Sequence, residues 1–169
     1  MQSYRSTPAP TPLLSLVEGR LIALDAATGQ LRWERPVADP VDRVLVAGAN
    51  VFLATARDPA GHVALFDLAT GNERGGIELT FRAAAALATA DRVYFSGHRG
   101  LLCLTHDGAV VFRAAREITQ KSGWSGDTYD LVGTDAQHRE LWRIVGAKAH
   151  STSSFLALGH LVAQIDSDT

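Results

Sequence analysis

Cysteine is almost absent from this chain of 169 residues, which carries a single copy, Cys103. One thiol forms neither an internal disulfide nor a cysteine cluster that could bind zinc. A disulfide-stapled scaffold and a cysteine-rich metal site are therefore both excluded. Because cytosolic proteins are the class that does without disulfides, we expect a reducing compartment and a cytoplasmic location.

Long apolar runs are also missing, although 46% of the residues are apolar. No window approaches the roughly 18 consecutive apolar residues of a membrane-spanning helix, so no membrane partner is expected. Residues 1–12 are polar and rich in proline and lack the apolar stretch of a secretion signal. We expect a flexible N-terminal lead-in over residues 1–12 and a single domain over residues 13–169, large enough to bury its own core.

Neither sign of charge is in large excess, with 16 basic and 18 acidic residues and a formal net charge of −2. Nearly all of the basic residues are arginines, but they are scattered among the acids along the chain. A protein that binds nucleic acid through its phosphates presents a basic patch or stripe. We therefore expect no nucleic-acid partner.

The chain does contain an internal repeat of about forty residues, a length typical of repeat architectures. Residues 19–33 return at residues 61–75, and weaker copies follow at residues 100–112 and 129–142. Each copy divides into short apolar runs, rich in Val, Leu, Ile and aromatic residues and separated by Gly, Asn or Asp. This punctuation predicts four antiparallel strands per copy and an all-β fold.

A turn of the pattern Asp-x-x-Thr-Gly occurs in the first two copies. Its aspartates, Asp25 and Asp67, can accept backbone N–H bonds, and Gly29 and Gly71 can adopt the positive φ that other residues resist. We interpret this motif as the chemistry of a hairpin turn and not of a ligand site. The alanine-rich residues 82–90 suit a helix by propensity alone, but their alignment with the repeat favours a strand.

Residues 23–33 resemble the tryptophan-docking motif of pyrroloquinoline-quinone-type β-propeller repeats, in which Ala, Asp, Thr-Gly and Trp stand at these offsets. The first copy matches all five positions, namely Ala23, Asp25, Thr28, Gly29 and Trp33. The second copy keeps the turn residues but has no aromatic anchor, whereas the third and fourth copies have aromatic candidates. These residues are Asp67, Thr70 and Gly71 in the second copy, Phe112 in the third and Trp142 in the fourth.

The resemblance implies a small β-propeller of about four blades, in which each aromatic anchor packs against the neighbouring sheet. Closure within one chain would require the C-terminal strands to join residues 20–25 and 31–37 in one sheet. The alternative is an open half-propeller that a two-fold dimer completes. The chain is accordingly expected to be a monomer or a homodimer.

Catalysis by a bound quinone is not supported by the residues. For quinone-dependent dehydrogenases of this repeat type, the resemblance implies a calcium cage of carboxylates and asparagine beside a vicinal disulfide. This chain has one cysteine and only two asparagines, Asn50 and Asn72, so neither element can be assembled. No histidine pair has helical metal-ligand spacing, and no Gly-x-Ser-x-Gly motif occurs. We expect no catalytic residue, no cofactor, no metal and no enzymatic activity.

Three residues are candidates for contact with a partner. His62 and His98 precede equivalent strands, which would place them on turns of one face, although solvated turn histidines are the simpler interpretation. Trp124 lies in the irregular stretch 122–127, where it could contact a partner or cap the last blade.

Packing explains the repeats and no catalytic set is present, so the sequence predicts a non-enzymatic β-propeller scaffold. Its partner would be another protein or a peptide. Two alternatives stay open. One is a sensor or binding module that takes a small molecule or an ion on the propeller face. The other is a hydrolase or a quinone-dependent redox enzyme.

Overall fold

A computed structural model describes residues 11–57, 60–97, 99–120, 128–148, 154–158 and 161–165. The regular elements in these ranges are all β-strands, as the repeat predicts. The described residues contain no helix long and apolar enough to span a membrane. In chain order they are β1 (Leu13–Val17), β2 (Arg20–Leu24), β3 (Leu31–Pro36), β4 (Val41–Ala47), β5 (Asn50–Arg57), β6 (Ala60–Asp67), β7 (Glu73–Leu79), β8 (Ala85–Ala88), β9 (Arg92–Gly97), β10 (Gly100–Thr105), β11 (Val110–Gln120), β12 (Thr128–Thr134), β13 (Glu140–Lys148), β14 (Ser154–Leu158) and β15 (Leu161–Ile165).

Strands that follow one another in the chain pair with each other in antiparallel sheets. The first sheet contains β1 to β3, the second β4 to β7 and the third β8 to β13, while β14 and β15 pair with each other and, among the described strands, with no other. Antiparallel neighbours need only a short turn between them. Each sheet is thus built from local sequence, as the repeat predicts.

The pairing register places one residue of each copy at the same structural position. In every copy the last strand, which we call the outer strand, contains a β-bulge, that is, one extra residue without a partner on the preceding strand. The residue directly after this bulge pairs with a residue of the preceding strand. These pairs are Ala23–Trp33, Leu65–Gly75, Cys103–Phe112 and Gly133–Trp142. The opposite residue is small wherever the outer residue is aromatic, and it is large where the outer residue is glycine.

The fourth copy does not form a sheet of its own. β11 is 11 residues long and pairs with β10 along residues 110–115 and with β12 along residues 113–120. Its first half is therefore the outer strand of the third copy, and its second half is the inner strand of the fourth. This sharing explains why the fourth copy is short. The expected count of about four separate blades is not confirmed.

The expected closure into a ring is not confirmed either. It would join the C-terminal strands to β2 and β3 in one sheet. In the part of the chain that the structure describes, β14 and β15 pair only with each other, and the free edge of β2 is taken by β1.

The core lies between successive sheets, and the second sheet is covered on both faces. Along β5, Val51 and Leu53 pack toward the first sheet, whereas Phe52 and Ala54 pack toward the third. Successive residues of a strand point to opposite faces, so the middle of this strand, residues 51–54, is apolar at every position. The rings of Phe52 and Phe95 meet between the second and third sheets with centroids 6.3 Å apart.

Candidate functional site

At the interface between the first and second sheets, Trp33 of β3 packs on a turn of the second sheet. Its indole Nε1 donates a hydrogen bond of 3.0 Å to the carbonyl oxygen of Leu68. Its ring covers Gly71, where a Cβ atom would stand only 2.5 Å from the ring. Trp33 is 6% exposed, so it joins the two sheets by burial of a large apolar area and by one directed bond.

Arg35, two residues further along β3, holds the same turn. Its guanidinium donates hydrogen bonds to the carbonyl oxygens of Gly71 at 2.7 Å and Thr70 at 3.2 Å, and to Oδ1 of Asn72 at 3.1 Å. Alternate residues of a strand share a face, so Trp33 and Arg35 act from the same side of β3. An aromatic ring and a cation therefore hold this interface together.

The aspartates of the repeated turn bind their own backbone. Oδ1 of Asp25 accepts hydrogen bonds from the N–H groups of Ala27 and Thr28, both at 3.0 Å, and from the Thr28 hydroxyl at 3.1 Å. Asp67 accepts the equivalent three bonds in the second copy. Gly29 completes the first turn with a φ of 70°, a conformation that favours glycine.

Hydrogen-bond donors around these aspartates keep them ionised. The Arg32 guanidinium, followed by the N–H groups of the turn, lowers the pKa of Asp25 from 3.8 to about 2. The N–H of Thr70 does most to lower the pKa of Asp67, and Arg74 adds to the effect. Carboxylates bonded in this way stabilise the turn, which is the role that the motif predicts.

The interface between the second and third sheets has neither of the two docking side chains. In the register of the repeat, Gly75 stands at the position of Trp33, and Ile77 stands at the position of Arg35. A Cβ atom on Gly75 would have no neighbour within 4 Å. The place of the indole is therefore open.

That space is only partly refilled. Leu65, the residue opposite Gly75, reaches the turn of the third sheet, where a Cβ atom on Gly108 would stand 2.7 Å from it. A cavity of about 200 Å³ remains beside Gly75, and we call it the vacated docking site. Its wall combines apolar side chains with the backbone of three glycines and two charged side chains. The main members are Phe52, Val63, Leu65, Ile77 and Leu104, with Arg74 and Asp107 as the charged ones.

The two charged side chains of the vacated docking site differ in their surroundings. Arg74 forms an ion pair with Asp67 of its own repeat turn. Asp107 is exposed, and within the described ranges its carboxylate has no hydrogen-bond or ion-pair partner. The site therefore offers a free negative charge at the edge of an apolar cavity.

Asn50 of the second sheet bonds to a turn of the third sheet, and His106 of that turn bonds to a neighbouring turn of the third sheet. Asn50 Nδ2 donates a hydrogen bond of 2.7 Å to the carbonyl oxygen of His106. Nε2 of His106 lies 3.1 Å from the carbonyl oxygen of Thr89, which requires this nitrogen to be the donor. The sequence interpretation assigned no role to either residue. The rarity of asparagine in the chain was the one available signal for Asn50.

Phe112 and Trp142 lie on one face of the third sheet and contact each other. Their ring centroids are 6.0 Å apart at an interplanar angle of 70°, an edge-to-face arrangement that aromatic pairs favour. The Trp142 ring also covers Gly133, the residue opposite it. Among the described residues these contacts lie within one six-stranded sheet. The predicted packing of the two rings on a neighbouring sheet stays a prediction.

Of the three predicted partner-binding residues, only His62 lies among the residues that the structure describes. His62 is half-buried on β6, and its ring lies against Gly76. His98 and Trp124 lie outside the described residues, so a role for them in partner binding stays a prediction. No group of His, Cys, Asp and Glu that could hold a metal ion occurs in the described ranges.

The Cys103 side chain is buried in the third sheet and is 1% exposed. This burial raises the pKa of the thiol from 9.0 to about 11. The thiolate is the reactive form of cysteine, so Cys103 is an inert core residue at neutral pH.

The first sheet turns an apolar face away from the second sheet. Leu13, Leu24 and Leu31 stand side by side across its three strands, and Val17 shares their face. Leu13 is 57% exposed and Leu31 56%. We call these four residues the outer face. The sequence interpretation missed it because β1 precedes the first recognisable copy of the repeat.

The strand pairing and the Trp33 interface define an all-β fold of repeated antiparallel sheets. Residues 13–75 match the family model described as outer membrane protein assembly factor BamB, and they span the first sheet and most of the second. The resemblance predicted from the sequence is confirmed: the chain is similar to pyrroloquinoline-quinone-like β-propeller repeat proteins. No curated protein matches the chain.

Two solved structures are similar to the chain. BamB from Moraxella catarrhalis is 16% identical with a TM-score of 0.48, over 90% of this chain and 57% of that one. Hydrazine synthase from Kuenenia stuttgartiensis is 14% identical with a TM-score of 0.50, over 87% of this chain and 49% of that one. The chain thus spans about half the length of these two structures. At such low identity the similarity concerns the fold alone.

Proposed function

We propose that this chain is a non-enzymatic scaffold that holds another protein through the outer face of its first sheet. The observation that carries the proposal is the exposure of Leu13 and Leu31, which flank Leu24 in one row across the three strands. The second sheet buries both of its faces between neighbours, whereas the first sheet has a described neighbour on one face only. Contiguous exposed apolar residues of this kind mark interaction sites.

The comparison with known proteins supports the same class of function. The family model that matches residues 13–75 describes an assembly factor, and these residues include all of the outer face. The repeated aspartates are bonded to their own turns, and the Cys103 thiol is buried and protonated. The conspicuous reactive groups of the described residues thus have structural roles, which favours a scaffold over an enzyme.

The variant Leu31→Glu tests this proposal because it places a charge on the outer face. Leu31 is exposed, so the variant should fold, and its melting temperature should stay close to that of the natural chain. We expect it to lose a protein that the natural chain retains stoichiometrically in affinity purification with quantitative mass spectrometry. The matched control Ala26→Glu adds the same charge on the exposed repeat turn and should retain that protein. Equal recovery by both variants would contradict the proposal.

A second copy of the chain is the alternative occupant of the outer face, in line with an open half-propeller completed by dimerisation. Sedimentation velocity across a range of concentrations separates the two cases. A dimer that Leu31→Glu converts to a monomer, with no other protein retained, would assign the outer face to self-association. If the chain is a monomer at all concentrations, self-association is excluded and the outer face would bind a different protein.

A further inference from the structure

We propose that the vacated docking site receives an aromatic side chain of a partner peptide, with a basic side chain two residues further along that peptide. This inference rests on the proposed scaffold function and names the ligand of one site within it.

The repeat itself shows what the vacated docking site is shaped to hold. Gly75 pairs with Leu65 as Trp33 pairs with Ala23, in each case directly after the extra residue of the outer strand. At the interface between the first and second sheets, this position sends an indole onto the next turn. At the interface between the second and third sheets, the residue at this position is Gly75, which has no side chain, and a cavity remains.

The volume and wall of the cavity suit one aromatic ring. Its volume is about 200 Å³, and an apolar cavity of roughly 150 Å³ suffices to bind benzene. Leu65 and the half-buried Ile77 line the cavity, with Phe52 and Leu104 buried in the core beneath them. Leu65 takes part of the room that an indole would need, so a single ring fits with the rest of its side chain at the opening.

The charge at the edge of the cavity favours a cation next to that ring. In the first interface Arg35 donates to the turn that Trp33 covers. In the second interface Ile77 stands at the position of Arg35, and Asp107 lies in the turn that would face such a cation. The charge of Arg74 is already paired with Asp67, so the free carboxylate of Asp107 sets the preference for a basic group.

The test uses a blocked Trp-Glu-Arg peptide, which copies residues 33–35 of this chain, titrated into the isotope-labelled full chain. We expect saturable chemical-shift changes in the amides of Gly75, Gly76 and Gly108. A blocked Ala-Glu-Arg peptide should bind at least about tenfold more weakly because it lacks the ring, in line with the large share of binding that aromatic anchors carry. A Trp-Glu-Glu peptide should bind several-fold more weakly.

Variants of the wall separate this site from adventitious binding. Gly75→Trp refills the position from within the chain, and Ile77→Trp does so at a position without the positive φ of Gly75, 143°. Both should abolish peptide binding. Glu73→Trp, an exposed control on the same strand, should leave it unchanged. Asp107→Asn should weaken Trp-Glu-Arg several-fold and should not weaken Trp-Glu-Glu, because that peptide has no cation for the carboxylate to attract.

The inference fails if the three peptides bind alike, or if Ile77→Trp binds Trp-Glu-Arg as the natural chain does. Tryptamine that binds as tightly as the peptide would also overturn it, in favour of a small-molecule site. Loss of the outer-face partner in Leu31→Glu without any peptide binding would refute this inference alone. Peptide binding with an intact outer-face complex in Leu31→Glu would refute only the outer face as the scaffold's contact.

Discussion

Trp33 carries more of the packing between the sheets than the other aromatic anchors do. It is buried between two sheets and bonded to the Leu68 carbonyl, whereas Trp142 is only half-buried against its own sheet. Truncation of a buried aromatic residue leaves a cavity that the surrounding structure fills incompletely.

We therefore expect Trp33→Ala to lower the free energy of unfolding by about 3 to 5 kcal/mol, measured by urea denaturation. Trp142→Ala removes the same side chain from a half-buried site and should cost clearly less. Equal losses for the two variants would contradict the assignment of Trp33 as the residue that joins the first two sheets.

The repeated aspartates predict how stability depends on pH. The pKa of Asp25 is lowered from 3.8 to about 2 in the folded chain, so its contribution is present above pH 3.8 and is lost as the pH falls toward 2. In thermal melts, the part of the stability that depends on Asp25 should therefore be constant above about pH 5 and should decline from about pH 4 to pH 2.

Asp25→Asn should reduce that decline, because the variant has no carboxylate to protonate. Asp107→Asn is the matched control, since the Asp107 carboxylate has no partner in the described ranges, and it should leave the decline as it is. A decline of the same size in Asp25→Asn would show that other groups dominate the response to acid.

The burial of Cys103 bears on the predicted location. The single cysteine suggested a reducing compartment, but the thiol is buried and protonated. A buried thiol is inert toward oxidants in any compartment. The cytoplasmic location therefore stays a prediction that this residue does not support further.

At the scale of strands and turns, local pattern predicted a great deal. The alternation of apolar runs with Gly and Asp predicted the strands, and the motif around Asp25 and Asp67 predicted the turns that the structure shows. The first copy pairs a small residue with a large one, Ala23 with Trp33, and the second copy reverses the sizes in Leu65 and Gly75. This reversal was not predictable, because a pairing register is needed to show that Leu65 and Gly75 face each other. The outer face was missed for a related reason, since strand β1 has no recognisable partner copy.

This reversal of sizes predicts a coupling between Leu65 and Gly75. Leu65→Ala enlarges the cavity and should cost about 2 to 4 kcal/mol. Adding Gly75→Trp recreates the Ala–Trp pair of the first copy and should recover part of that loss, even though the positive φ of Gly75 opposes a side chain there. A double-mutant cycle by urea denaturation measures the coupling. Additive effects of the two substitutions would show that they do not share one space.

At the scale of the whole molecule, the sheets differ in how many of their faces are covered. The second sheet is buried on both sides, whereas strand β1 exposes Leu13, Leu16 and Val17. Local opening requires little free energy where few apolar contacts are lost. Stability should therefore fall from the second sheet toward β1.

Hydrogen exchange under native conditions tests this gradient. We expect the amides of β5 and β6 to exchange most slowly and those of β1 to exchange fastest among the paired strands. A partner bound to the outer face should slow exchange in β1 and leave β5 unchanged. Equal protection of β1 and β5 in the isolated chain would contradict the gradient.

The strand β11 limits how this molecule can be divided or lengthened. One stretch of backbone hydrogen-bonds to the third copy along one edge and to the fourth copy along the other. A cut between these copies would leave one of them without a strand, so neither can be excised, duplicated or transplanted by itself. A change in the number of repeat copies would therefore have to add or remove the last two copies together.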